Sequence, residues 1–233
     1  MSGSTDSATA PPDGRVTRWD DHKAQRRDAI LGAAVEVVAE RGADVSVQDI
    51  ARRASVPRSV VYRVFADRAD LDEQLRARIL RELSIRLAPS LDPQGTLEEA
   101  IASAVDTYVR WIVEYPRLHQ FLSIGSRTRR TVGARAVTET KTEIALRVSG
   151  LAASVLRAHG ADTAVAESLA FGLIGLVDAA VNRWLANTRH EIDADGLATF
   201  LQTAIWAVVH GTAAQAGIEL VPTMSVVAVM DAH

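Results

Sequence analysis

The sequence predicts an all-α protein: an N-terminal three-helix, helix-turn-helix unit joined to a larger helical part. Three observations carry this. Apolar residues recur at three- and four-residue spacings along almost the whole chain, and only the apolar stretch 225–230 offers a strand-like alternative. Gly and Pro punctuate that pattern where helices would stop or start. Residues 46–65 hold two short helical patterns separated by a three-residue break, the spacing of a helix-turn-helix. With 48% hydrophobic residues among 233, the chain can bury one or two sizeable cores.

Residues 1–20, rich in Ser, Thr, Ala, Pro and Asp and without an apolar core segment, read as a disordered tail, not a signal peptide. A first helix is expected from about Asp21 to Arg41, with Ile30, Ala33, Ala34, Val37 and Val38 on one face and Gly42 as the residue that ends it. Ser46 and Asp49 form a near capping box for the second helix, whose Val47, Ile50, Ala51 and Ala54 share an apolar face. Ser55-Val56-Pro57 breaks it, because Pro57 is excluded from a helix interior but suits the first turn of the next. That helix runs from about Arg58 to Phe65. A fourth, about Arg68 to Leu87, carries Leu71, Leu75, Ile79, Leu83 and Leu87, and the domain boundary is placed within it, giving domains 21–80 and 81–233. Pro89, Pro93 and Gly95 mark a loop. Thr96 with Glu99 caps a fifth helix reaching Glu114 or Tyr115. The remaining helices are expected at about Pro116–Gly125, Thr131–His159, Thr163–Thr188 and Asp195–Ala214.

The net charge of −3 does not by itself suggest a nucleic-acid binder. Locally the balance differs: from Ile50 to Ala66 there is no acidic residue, while Arg52, Arg53, Arg58 and Arg63 are all basic. Arg pairs bidentately with guanine O6/N7 or with phosphate. Arg58 and Ser59, at the exposed start of the second helix of the pair, are the expected base readers, with Gln48 and Arg63 behind them. An Arg-rich hairpin packed within an all-helical protein is the plainer alternative.

Residues 26–75 resemble the N-terminal domain of the TetR (TetR/AcrR) family of bacterial transcriptional regulators. The matching positions are Arg27, Ile30-Leu31, Ala33-Ala34, Val37 and Ala39-Glu40-Arg41-Gly42. They continue with Ser46-Val47, Ile50-Ala51, Ala54, Val56, Val60, Tyr62, Phe65, Asp67-Arg68 and Asp70-Leu71, without a gap. Three positions depart from the family pattern: Ser55 stands where Gly is usual, Pro57 where Ser or Thr caps the recognition helix, and Arg68 where Lys is usual. A left-handed backbone at Ser55 would cost about 1 kcal/mol. The resemblance implies that Tyr62, Arg68 and Ser46 touch phosphates, and that the C-terminal part binds a ligand and forms a dimer.

That part offers support of its own. Small residues recur on the eighth and ninth helices, at Ala170, Gly172, Gly175, Ala179, Ala180, Ala204, Ala207 and Gly211, and allow close helix approach, either within one chain or across a dimer. Tyr108, Trp111 and Tyr115 on the fifth helix, His119 and Phe121 on the sixth, and Phe171, Asp178 and Asn182 on the eighth could line a mostly apolar pocket. Trp184 and Trp206 are expected in the core. The basic segment 126–130 reads as a surface turn.

Enzyme signatures are absent: there is no Gly-rich phosphate loop, no His-Glu-x-x-His and no Gly-x-Ser-x-Gly, and the six His residues lack metal-ligand spacing. No catalytic residue, cofactor or metal is expected. With no cysteine, disulfides and thiolate sites are excluded, and no unbroken apolar run of membrane-spanning length occurs, which fits a cytoplasmic setting. The expected function is a ligand-responsive, homodimeric, DNA-binding regulator, a repressor acting at an inverted-repeat double-stranded operator and released by a largely apolar small molecule. An activator, a ligand-independent regulator, or an apolar-ligand carrier without DNA binding are the alternatives.

Overall fold

The end of α1 shows how local sequence sets this architecture. The helix, Gly14–Arg41, buries Ile30, Ala34, Val37 and Val38, and stops where Gly42 adopts φ 88° and its N–H donates to the Val38 carbonyl (2.8 Å). The computed structural model describes residues 14–91, 95–127, 135–187, 189 and 191–225. Of the expected N-terminal tail, 1–13 lie outside the described residues, and the backbone from Gly14 is already helical, seven residues earlier than expected.

Ser46 caps α2 (Val47–Arg53): its Oγ accepts from the Asp49 N–H (3.2 Å), and Asp49 returns a bond to the Ser46 N–H (3.1 Å), a complete capping box. Ser55 takes φ 54° in the turn, a left-handed conformation at the position where the resembled family usually has Gly. Pro57 is the N-cap of α3 (Arg58–Val64), which starts where expected, and its extended backbone (φ −61°, ψ 145°) leads into the helix without a side-chain cap. α4 (Arg68–Leu87) begins at Asp67, whose side chain accepts from the Asp70 N–H, and buries Leu71, Leu75, Ile79, Leu80 and Leu83. Its buried face runs unbroken past residue 80, so the two parts of the chain share one core.

A short 3-10 turn, Ala88–Leu91, replaces part of the expected loop. Then come α5 (Leu97–Glu114, with the Thr96–Glu99 capping box), α6 (Pro116–Arg127), α7 (Arg135–Ala158), α8 (Val165–Ala186) and α9 (Ala194–Gln215). α5 packs on α9 and α7 on α8, while α6 lies against α1 and α4 reaches α1, α5, α6 and α7. No β-strand occurs among the described residues. The strand-like segment 225–230 contributes only a bridge between Ser225 and Thr96, and 226–230 lie outside the described residues, as do 128–130 of the basic turn. Trp184 and Trp206 are half-buried, each packed against a hydrophobic cluster.

α8 and α9 are long and apolar enough, by composition alone, to cross a membrane, although the chain has no unbroken apolar run of that length. Each buries only 22% of its apolar window within the single chain. One face of each lines the interior; the other exposes Val165, Phe171, Phe200 and Val208.

Candidate DNA interface and ligand cavity

α2 and α3 turn an exposed surface outward while Val47, Ile50, Ala51 and Val61 anchor them from beneath. Ser46, Gln48, Arg58, Ser59, Tyr62 and Arg63 are all exposed. Arg58 lies along Tyr62: its guanidinium carbon is 5.3 Å from the ring centroid and its Nη2 donates to the Tyr62 hydroxyl (3.0 Å). This stacking holds the guanidinium outward, with most of its donors open. The Ser46 hydroxyl is engaged with Asp49 as the α2 cap.

Two of the arginines are used differently from the sequence reading. Arg53 pairs with Glu36 (2.9 Å) and Glu40 of α1, and its hydrogen bond holds the Glu40 carboxyl below its usual range. It locks α2 to α1 and withdraws one charge from the basic cluster. Arg68, expected to touch phosphate, is half-buried: Nη1 donates to the Val45 carbonyl (2.6 Å) and Nε to Asp72 (2.8 Å). These two bonds tie the start of α4 to the chain just before α2, and they engage only two of the five guanidinium N–H donors.

Behind this unit, α4 to α9 surround a cavity of about 380 Å³. Most of its wall is Leu, Ile, Val and Ala from α4, α5, α7, α8 and α9, and a cluster of polar groups lies at one end. There the Tyr108 hydroxyl lies 3.2 Å from His119 Nε2, and Ser123 Oγ lies 3.5 Å from His119 Nδ1 and bonds Asn182 Oδ1 (2.9 Å). Burial pushes the Tyr108 phenol up, so it keeps its proton, and its hydroxyl shares a hydrogen bond with Nε2. Burial likewise pushes His119 down to about 4, which leaves the imidazole neutral at pH 7. Lys141 and Asp178, an ion pair at 2.7 Å across α7 and α8, are the only charged residues in the wall among the described residues. The end is polar but electrically balanced.

Of the six residues expected to contact a ligand, Tyr108, Trp111 and Asp178 line this cavity. Tyr115 does not: it packs on Trp111 (6.2 Å between centroids) and Arg86. Phe121 is buried beneath the Arg76 guanidinium, 4.5 Å away, at the contact of α4 with α6. Phe171 points outward on α8 and is 41% exposed. Helical spacing alone gave these three the same standing as the others; which side of each helix faces the cavity is set by packing. Lys141 and Ser123 were missed. Lys141 carried a signal, since it interrupts the apolar row Val137, Ile144, Val148 and Leu151 of α7.

Two contacts connect the halves through α4. Arg68 holds its first turn to Val45, and Glu73 Oε1 accepts from the Ala136 N–H (2.7 Å) at the start of α7. Further along the same helix, Leu80, Leu83 and Leu87 form cavity wall.

Residues 30–75 match the family described as bacterial regulatory proteins, tetR family. Over 208 residues the chain is 25% identical to an uncharacterised HTH-type transcriptional regulator of Mycobacterium tuberculosis, spanning 88% of this chain and 86% of that protein. Its fold is similar to that of a tetR-family transcriptional regulator from Streptomyces coelicolor (TM-score 0.68, 20% identity, 89% of this chain and 87% of the other). It is also similar to that of the transcriptional regulator FadR from Bacillus subtilis in complex with stearoyl-CoA (TM-score 0.61, 21% identity, 78% and 97%).

Proposed function

We propose that this chain, which matches the TetR family over residues 30–75, is a DNA-binding transcriptional regulator of that family, a homodimeric repressor which a largely apolar small molecule releases from an inverted-repeat operator. The observation that carries the reading is the course of α4. One helix is tied to the helix-turn-helix at Arg68, to α7 at Glu73, and forms cavity wall at Leu80, Leu83 and Leu87. A ligand that fits one position of α4 better than another shifts the balance between DNA-competent and incompetent dimers by its differential affinity. The apolar wall supports a largely apolar ligand, and a protein of similar fold is described in complex with stearoyl-CoA. The protein acts in the cytoplasm, where its operator lies.

In this reading Arg58 and Ser59 contact base edges, Gln48 and Arg63 flank them, and Tyr62 and Ser46 meet phosphates. Two identical recognition helices related by a twofold axis require half-sites about one helical turn, or slightly more, apart. Selection of bound duplexes from a random pool should return inverted repeats; sequences without twofold symmetry would count against the arrangement. Operator occupancy should fall on adding apolar compounds that raise the melting temperature. If no such compound changes occupancy, the ligand-responsive part of the reading fails. Arg58→Ala should weaken binding by about 1–3 kcal/mol and relax preference at one base position per half-site. Unchanged affinity and selectivity in that variant would remove Arg58 from the reading.

The dimer is supported by two faces that intramolecular packing leaves uncovered. Val165, Phe171, Gly172, Gly175 and Ala179 on α8, and Phe200, Ala207 and Val208 on α9, are exposed at helical spacing. A side chain added at Gly172 or Gly175 would meet nothing within 4 Å in the single chain, so packing within the chain does not require their smallness. Gly175→Leu should therefore leave the chain's own melting intact while overpacking a close contact between protomers. Sedimentation at micromolar concentration should show a shift from dimer toward the 25.1 kDa monomer. An unaltered dimer would place the interface elsewhere.

A further inference from the structure

The cavity has a direction. Along α5 it extends from Leu97 at one end to Trp111 at the other, and along α7 it runs from Val137 to Leu156. Fourteen residues of α5 at 1.5 Å each make its length about 21 Å. One end holds Tyr108, His119, Ser123 and the Lys141–Asp178 pair. The polar side chains elsewhere in the wall include Ser90 and Thr212, which are satisfied locally: Ser90 bonds Ser103 (2.9 Å) and Thr212 donates to the Val208 carbonyl (2.8 Å).

The apolar end is closed by chain beyond the last helix. After α9, Gly217 turns at φ 75°; its N–H donates to the Ala214 carbonyl (3.0 Å) and that of Ile218 to Ala213 (2.9 Å), a Schellman stop. The chain then crosses the start of α5. The Met224 and Pro222 carbonyls accept from the N–H groups of Leu97 (3.1 Å) and Glu98 (3.2 Å), first-turn donors with no partner inside their own helix. Ser225 pairs with Thr96. This strap is thus fastened at both ends, and between the fastenings Ile218 and Leu220, 4% and 5% exposed, form part of the cavity wall.

We propose that the strap is a length gauge: the effector is an extended single-chain amphiphile whose polar end meets the Tyr108–His119–Ser123 cluster and whose tail stops against Ile218 and Leu220. The inference rests on reading the cavity as the effector site. An extended chain advances about 1.2 Å per bond, so about 21 Å takes roughly 16–18 bonds. The head is an uncharged hydrogen-bonding group, because Lys141 and Asp178 already neutralise each other and a charged head would leave one of them without its partner.

The test uses the full-length protein and two homologous series, saturated 1-alkanols and n-alkanoic acids of about 8 to 20 carbons, with affinity read by calorimetry. Affinity should rise about fourfold per methylene until the tail meets the strap, then stop rising, with the alcohols ahead at equal length. Leu220→Ala should move the break about two to three carbons longer. Ala152→Phe adds bulk at the same end of the wall from half-buried α7 and should move it shorter; it carries the test by itself if Leu220→Ala does not fold. Breaks at an unchanged length in the folded variants overturn the gauge, and acids binding better than alcohols overturn the uncharged head. Failure of either series to bind, while branched or polycyclic apolar compounds still release operator DNA, overturns the inference and leaves the proposed function standing. Release by no apolar compound removes both.

Discussion

Replacing Trp111 by Ala is expected to cost about 3–5 kcal/mol of folding stability. The indole is 4% exposed, lies 6.4 Å from the Tyr108 ring in a stacked arrangement, and touches Tyr115 and His119 as well. Truncation would leave three aromatic neighbours facing a void that joins the existing cavity. A domain of ordinary stability has only about 5–15 kcal/mol in total, so the variant should be close to unfolding at physiological temperature. Urea denaturation should show a lowered midpoint with an unchanged slope. A loss below about 1 kcal/mol would mean that the surroundings collapse around the missing ring. From the sequence, Trp111 reads as a ligand contact; its burial makes it a core residue that also faces the cavity. Trp111→Phe is the appropriate probe of ligand response.

Acid should destabilise the protein through His119 before most of its carboxylates titrate. Burial holds the folded imidazole at about 4 against an ordinary value of 6.5, with the Lys141 charge acting the same way and Asp178 opposing it. The unfolded chain takes up a proton between those values and the folded chain does not. The stability contributed by the neutral ring is whole above pH 6.5 and is lost progressively as pH falls toward 4. At about 1.4 kcal/mol per pH unit the loss is on the order of 2–3 kcal/mol. Stability measured at pH 7 and pH 4.5 should differ by that amount in the wild type and by much less in His119→Gln. An equal acid loss in both proteins would assign it to the carboxylates held below their usual range by hydrogen bonds, such as Asp49, capped by Ser46, and Glu99, capped by Thr96.

Most helix boundaries were legible because the signals that set them are local. Ser46 with Asp49, and Thr96 with Glu99, satisfy N–H groups within three residues of themselves, and Gly42 supplies a backbone conformation other residues avoid. α4 begins and ends where its apolar row and the flanking Asp67 and Pro89 put it. The left-handed backbone at Ser55 was suggested only by the family resemblance, in which Gly usually holds this position.

The sequence by itself determined the all-α class, the helix-turn-helix and its exposed Arg58, Ser59, Tyr62 and Arg63, since these follow from periodicity and spacing over a few residues. Only the tertiary structure decided which arginines stay outward, because Arg53 and Arg68 find partners on other elements. Only it separated Trp111 and Tyr108, which face the cavity, from Phe121 and Phe171, which face α4 and the outside. A helical pattern fixes which residues share a face, but the direction that face points is fixed by contacts between distant parts of the chain. The same reason hid the strap: Ile218 and Leu220 lie more than a hundred residues from Leu97, and nothing local to either segment announces that they meet.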